Sequence, residues 1–276
     1  MPFQVPWRAP VGLLAVAALA AGCSKLPEPK DLSGEEQALR ERGRALVERA
    51  VAAHGGLDRW RALGDVAWTM RDTWSGIGGL VGPGFPVDDP RTRYFFNWSL
   101  NKGRMEFLDA PGVAWGHDSR EGWCEEGGRR TYDRAKDATF LVPTEAYFFA
   151  LPFKFLDPGV VQYDAGRREA DGKTWETALI TFEAGVGVVQ DRYLAYFDPE
   201  TGRLGRVTFT VLEQPGGAEG LARYTEWQVA GGLVVPKRID LDAISPISFY
   251  LHSLSFEAVD LSPAFDRRLY EKPDAR

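Results

Sequence analysis

Two cysteines, three histidines and three methionines are few for 276 residues, and each shortage excludes something. With two cysteines, no disulfide framework can carry the fold. His54, His117 and His252 stand far apart, and none has a neighbour at metal-ligand spacing. The phosphate-cradling glycine loop, the nucleophile elbow and the His-Glu-x-x-His helix are all missing. Lys and Arg number 33 against 39 Asp and Glu, for a net charge of −6. No basic stripe interrupts that balance, which argues against nucleic acid as a partner. No metal and no cofactor are implied. The apolar run from Val11 to Ala21 is too short for a membrane-spanning helix, which needs about 20 residues.

That run has its own meaning. Arg8 precedes it, Gly22 and Cys23 follow it, and small residues fill its end. A charge, a short apolar stretch and small residues together describe a secretory signal. A cysteine directly after Ala21 and Gly22 resembles the bacterial lipobox, with one departure: Leu19 sits a place early, and Ala20 stands where leucine is usual. The resemblance implies that Cys23 becomes an N-terminus carrying acyl chains such as palmitate. Ser24 after it implies export to the outer membrane, with the protein facing the periplasm. The alternative is an ordinary cleaved signal with a chance cysteine. Residues 1–22 are then a signal peptide, and 23–32, with Pro27 and Pro29, a short stiff tether. Residues 33–276 form a single domain. Cys124 is left without a disulfide partner, either as a half-buried structural thiol or as a reactive nucleophile.

Ser33 to Glu36 has the pattern of a capping box opening a helix. Leu39, Leu46, Val47, Ala50 and Val51 fall on one face of it, and Gly55-Gly56 ends it. A short turn of helix over 58–63 follows. Beyond it the apolar pattern changes to period two. Val66, Trp68 and Met70 alternate with Ala67, Thr69 and Arg71; Tyr94, Phe96 and Trp98 alternate with polar neighbours, Phe95 excepted. Val207, Phe209 and Val211 alternate with Arg206, Thr208 and Thr210, and Leu233, Val235, Ile239 and Leu241 belong to another such run. Period two broken by turns such as Asp198-Pro199-Glu200-Thr201-Gly202 predicts antiparallel strands. Two further segments stand out. Residues 75–89 are rich in Gly and Pro yet carry Ile77, Leu80, Val81 and Phe85, as a functional loop or one folded over a barrel end would. In Pro143 to Leu156, Tyr147, Phe148, Phe149, Leu151, Phe153 and Phe155 put apolar side chains on every side, with Thr144 able to cap a helix and Pro152 disfavouring its continuation.

The stretch 197–210, then Tyr224 to Leu241, resembles the C-terminal half of the LolA/LolB-like superfamily of periplasmic and outer-membrane lipid-handling proteins: a strand, an Asp-Pro-x-Thr-Gly turn, a strand, then a Trp and a Gly-Leu-x-x-Pro-x-Arg run. The N-terminal helix with its Gly-Gly link and the tail around Pro263 to Tyr270 extend the likeness. It implies a mainly β fold, a curved antiparallel half-barrel with an N-terminal helix and a short helical plug. It further implies an envelope lipoprotein that binds a lipid or acyl chain, without catalysis, in lipid or lipoprotein trafficking. The bulky residues of the wet-dry strands and the apolar segment are then the candidate lining: Trp68, Met70, Phe96, Trp98, Phe107, Tyr147, Phe148, Phe149, Leu151, Phe153, Phe209 and Trp227. Composition alone leaves two readings open, since the same rings fill a closed core equally well. A filled core would suit a structural lipoprotein that binds an envelope protein partner. The polar cluster of His117, Asp118, Glu121, Glu125 and Glu126 is either a solvated turn or the seat of a hydrolase or cation site.

Overall fold

The computed structural model describes residues 26–131, 133–186, 191–212 and 218–272. Cys23 and the signal segment lie outside the described residues. Among the described residues, thirteen antiparallel strands, β1 (Val66–Trp74), β2 (Arg91–Asn97), β3 (Lys102–Phe107), β4 (Val113–Asp118), β5 (Gly122–Glu126), β6 (Arg129–Thr131), β7 (Val160–Ala170), β8 (Lys173–Phe182), β9 (Tyr193–Phe197), β10 (Leu204–Val211), β11 (Ala218–Ala230), β12 (Leu233–Ser245) and β13 (Phe249–Asp260), form one sheet in the order β6-β5-β4-β3-β2-β1-β13-β12-β11-β10-β9-β8-β7. Its two end strands, β6 (Arg129–Thr131) and β7 (Val160–Ala170), do not pair, so the curved sheet stays an open half-barrel. Every pair of strands consecutive in sequence is adjacent in the sheet except β6 and β7, and β1 joins β13 at the centre. Short turns make the hairpins possible. Asp171 and Gly172 take φ of 52° and 71° between β7 and β8 (Lys173–Phe182), the left-handed pair that suits the twist of two-residue hairpins.

Period two sorts the side chains. Val66, Trp68, Met70, Leu254 and Phe256 share the main core with Val207, Ala222 and Tyr224 on the concave side. Phe95 breaks the alternation of β2 (Arg91–Asn97) because it faces the convex side, where it stacks on Phe265 from the tail, 4.2 Å between centroids. Tyr270 closes over the same patch.

Helix α1 (Glu36–Ala53) lies along β7. Gly43 makes that approach possible: a Cβ there would stand 2.5 Å from the Tyr163 backbone. Its start differs from the sequence expectation. The helix opens at Glu36 after Glu35, and no side chain caps it. Gly55 and Gly56 end it with φ of 107° and 93°, conformations open to glycine. His54, just before them, is fully buried between strands. Its Nδ1 donates to the Val234 carbonyl at 2.9 Å, and its Nε2 accepts the Leu204 N–H at 3.2 Å. Burial holds this imidazole down to a pKa of about 4, hence neutral.

Two more differences bear on function. A short helix, α2 (Leu57–Arg61), precedes β1, and the glycine-rich segment after β1 contains another, α3 (Gly76–Val81), seated on β13. The stretch read as a tether is partly docked. Leu26 is buried among Leu39, Leu179 and Leu194, its N–H reaches the Glu219 carboxylate at 3.3 Å, and Glu28 pairs with Arg192 at 2.9 Å. An apolar leucine at that position finds an apolar patch on the convex face, and burying it outweighs the freedom a spacer would keep. No helix among the described residues is long and apolar enough to cross a membrane.

Candidate functional site

The concave face is covered by α4 (Ala135–Phe149) and the single turn Phe153–Leu156 that follows. The sequence pattern placed the helix start at Thr144, but the helix begins at Ala135 and carries Pro143 inside it. Thr139, the residue whose carbonyl Pro143 cannot meet, has its hydroxyl on the Ala135 carbonyl at 2.7 Å and accepts the Gly122 N–H at 2.8 Å. The bond from Gly122 ties the first half of the helix to β5 (Gly122–Glu126).

The second half of α4 fills the half-barrel with rings. Phe149 lies on Trp68, 4.3 Å between centroids and 5° from parallel. Trp68 in turn stacks on Tyr94 at 4.8 Å. Phe148 meets Phe209 at 5.0 Å, and Phe153 lies flat on Trp60 at 4.5 Å. The candidate lining residues are all brought together: Trp68, Met70, Phe96, Phe107, Phe148, Phe149, Leu151 and Phe153 are buried in one cluster, with Trp98, Tyr147, Phe209 and Trp227 packed against it. Sealing Phe149 from water is worth about 1.5–3 kcal/mol, and offset stacking adds about 0.5–1.5 kcal/mol.

The fill is incomplete. A cavity of about 250 Å³ opens between α4 and the β2–β3 turn, lined by Phe96, Trp98, Asn101, Pro143, Tyr147 and Lys154. That is a little below the 300–1,000 Å³ usual for a small-molecule site. Three hydrogen-bonding atoms of this core are buried without a protein partner: Trp68 Nε1, Trp98 Nε1 and the Tyr147 hydroxyl. Burial raises the Tyr147 pKa far above the usual tyrosine value, so it is a neutral O–H. A larger depression of about 460 Å³, between Gln228 to Gly231 and Ala258 to Ser262, is open to solvent and has no aromatic lining.

Beneath α4 sits a polar group that sequence reasoning missed. Asp72 Oδ1 and His252 Nδ1 are 2.6 Å apart, Trp74 Nε1 donates to Asp72 Oδ2 at 2.8 Å, and Trp74 stacks on the His252 ring at 4.0 Å. Glu145 is buried nearby, and neither of its carboxyl oxygens has a hydrogen-bond partner. The nearby Tyr94 hydroxyl donates to the Val142 carbonyl at 2.7 Å. Burial first, and the Asp72 charge second, push the Glu145 carboxyl well above its usual range, so it is held protonated. Strand parity carried the signal. Asp72 is in phase with Trp68 and Met70, and His252 with Leu254 and Phe256, so both had to face inward.

The other polar cluster is a turn. Asp118 accepts the N–H groups of Arg120 and Glu121 and pairs with Lys272 at 3.2 Å. His117 is buried with Nδ1 between the Asn101 carbonyl and the Ser119 N–H. Among the described residues, no group of His, Cys, Asp and Glu is placed to hold a metal ion. Cys124 is buried, and desolvation raises its thiol to about 12, which keeps it protonated and unreactive.

Comparison with known proteins agrees with this geometry at the level of fold. Residues 139–231 match DUF6503, a family of unknown function. No curated protein matches the chain. Among solved structures, a LolA superfamily protein from Nitrosomonas europaea is 12% identical, covers 83% of this chain and 97% of its own, and superposes with a TM-score of 0.53. A Vibrio parahaemolyticus domain described as outer membrane lipoprotein-sorting gives 11%, 84%, 97% and 0.51 for the same quantities. A DUF1329 family protein from Desulfovibrio piger gives 12%, 83%, 97% and 0.50. The fold is LolA-like: an open antiparallel half-barrel with its N-terminal helix.

Proposed function

We propose that this protein is an envelope lipoprotein, anchored to the outer membrane through acyl chains on Cys23, whose half-barrel holds the acyl chain of a lipid or lipoprotein. It works by binding, with no chemical step. The observation that carries the reading is the aromatic interface between α4 and the sheet. It is apolar, it is already parted by a 250 Å³ cavity, and it contains buried donors with no acceptor. An unmet buried donor costs about 1–3 kcal/mol. The acceptor oxygens of a carboxyl or ester group would meet that need while the attached chain extends between Trp98 and Tyr147. Each methylene buried there adds about 0.8 kcal/mol before ordering costs. A full chain needs more room than the cavity offers, so α4 moves outward as the ligand enters. Likeness to lipoprotein-sorting folds is consistent with this role.

The filled core favours a second reading, in which the rings are permanent packing and the protein serves an envelope partner. One experiment separates them. Protein purified from membranes is extracted with organic solvent, and a fluorescent fatty acid is titrated into the delipidated protein. The carrier reading expects lipid in the extract and saturable binding. A lipid-free extract with no saturable binding leaves the partner-binding reading.

A further inference from the structure

Three unrelated segments bring exposed apolar side chains to the same end of the sheet. Helix α3 presents Ile77 and Leu80, 58% and 76% exposed, and the turn between β12 (Leu233–Ser245) and β13 presents Ile247 at 56%. Leu212, at the end of β10, is 49% exposed. The register proves the shared end: Ala243 pairs with Phe249 around the turn, Glu219 pairs with both Ser245 and Thr210, and Trp74, just before α3, pairs with His252. Helix α3 is held close to β13. A Cβ on Gly78 would stand 2.0 Å from the Leu251 carbonyl oxygen, so only glycine lets this helix sit so near the strand. The two exposed side chains are therefore presented at a fixed height.

The first described residues, from Leu26, lie at this end. Leu26 is bonded to Glu219 and Glu28 to Arg192, beside the β10–β11 end. Cys23 stands three residues earlier. At about 3.3–3.6 Å per residue it is within roughly 10 Å of Leu26. Water-facing aliphatic residues gathered at one end of a monomer mark an interaction surface. A membrane anchor a few residues from that end selects the bilayer as its occupant.

We propose that the end of the half-barrel formed by α3 and the β12–β13 turn rests in the interfacial layer of a lipid bilayer, with Ile77, Leu80 and Ile247 as the inserted side chains. The orientation rests on the reading of Cys23 as the anchor; the contact surface rests on the exposed residues themselves. The proposal adds a docking geometry to the carrier reading, because the polar cluster of Asp72 and His252 and the adjoining end of the concave face then lie at the membrane.

The test uses the full chain purified from bacterial membranes and reconstituted in phosphatidylcholine vesicles. Single variants Leu80→Cys, Ile247→Cys and Val229→Cys carry an environment-sensitive fluorophore. Val229 is 74% exposed at the opposite end, next to the Gly231–Gly232 turn, and serves as the control. Cys124 is buried and takes no label, and wild type carried through the same labelling gives the background of Cys23. Quenching by spin-labelled lipid is expected to be at least twofold stronger at positions 80 and 247 than at 229. Equal quenching at the three positions, or stronger quenching at 229, overturns the proposal. Fatty-acid binding by the same labelled proteins is measured separately. Its absence alongside strong quenching at 80 and 247 would end the carrier reading and leave the docking surface standing.

Discussion

The ring of Phe149 lies parallel to the indole of Trp68, 4.3 Å away, and this contact joins α4 to β1, beside the middle strand of the sheet. Both residues are almost wholly shielded from water. Phe149→Ala removes the ring and leaves a void that Trp68, itself packed on Tyr94, cannot collapse into. The expected loss is about 3–5 kcal/mol of stability, read from the urea midpoint at constant slope. Phe140→Ala, on an exposed position of the same helix, is expected to cost less than about 0.5 kcal/mol.

His54 sets one pH dependence. Its folded pKa is near 4, below its ordinary value of 6.5. Between those values the unfolded chain takes up a proton that the folded one refuses. Stability from this group is complete above pH 6.5 and falls with pH toward 4, by up to about 3 kcal/mol. Replacing His54 with Gln costs stability at pH 7 but flattens the drop between pH 7 and 5. An unchanged pH slope in chemical denaturation would contradict the assignment.

Glu145 works in the opposite direction. Its folded pKa is raised above the ordinary 4.5. Below that value both states hold the proton, and above it only the folded state does, so stability declines as pH rises. Glu145→Gln keeps the shape and carries no charge. The variant is expected to melt higher than wild type at pH 8 and with little difference at pH 4. A melting difference that does not grow with pH would show that Glu145 is not held protonated.

Cys124 gives a probe of the core. With its thiol raised to about 12 and its side chain buried, alkylation at pH 8 is expected to be at least a hundredfold slower in the native protein than in urea. Comparable rates would mean that β5 and α4 separate readily.

The strands were readable because one wet face and one dry face leave period two in the sequence, as in Val66, Trp68 and Met70. The exception at Phe95 was visible too, but its cause was not: Phe265, which covers it, comes from the far end of the chain. The start of α4 was hidden because Pro143 and Thr144 look like a helix opening, whereas Thr139 supports a helix that runs through them. The docking of Leu26 depended on a patch assembled from Leu39, Leu179 and Leu194, which no local pattern announces. Whether the aromatic face was hollow or filled could not be read at all, since Trp68 or Phe149 serves a core and a greasy pocket equally well. The pairing of Asp72 with His252 spans 180 residues, and only their strand parity was local.

The central claim is that an acyl chain lodges between α4 and the sheet. A fatty acid bearing a diazirine along its chain, bound to the full protein and photolysed, tests it most directly through peptide mapping. The account predicts adducts within residues 94–107 and 143–155, suppressed by excess unlabelled fatty acid. Adducts confined to exposed positions such as Ile77 and Leu80, or labelling that excess ligand does not suppress, would contradict it.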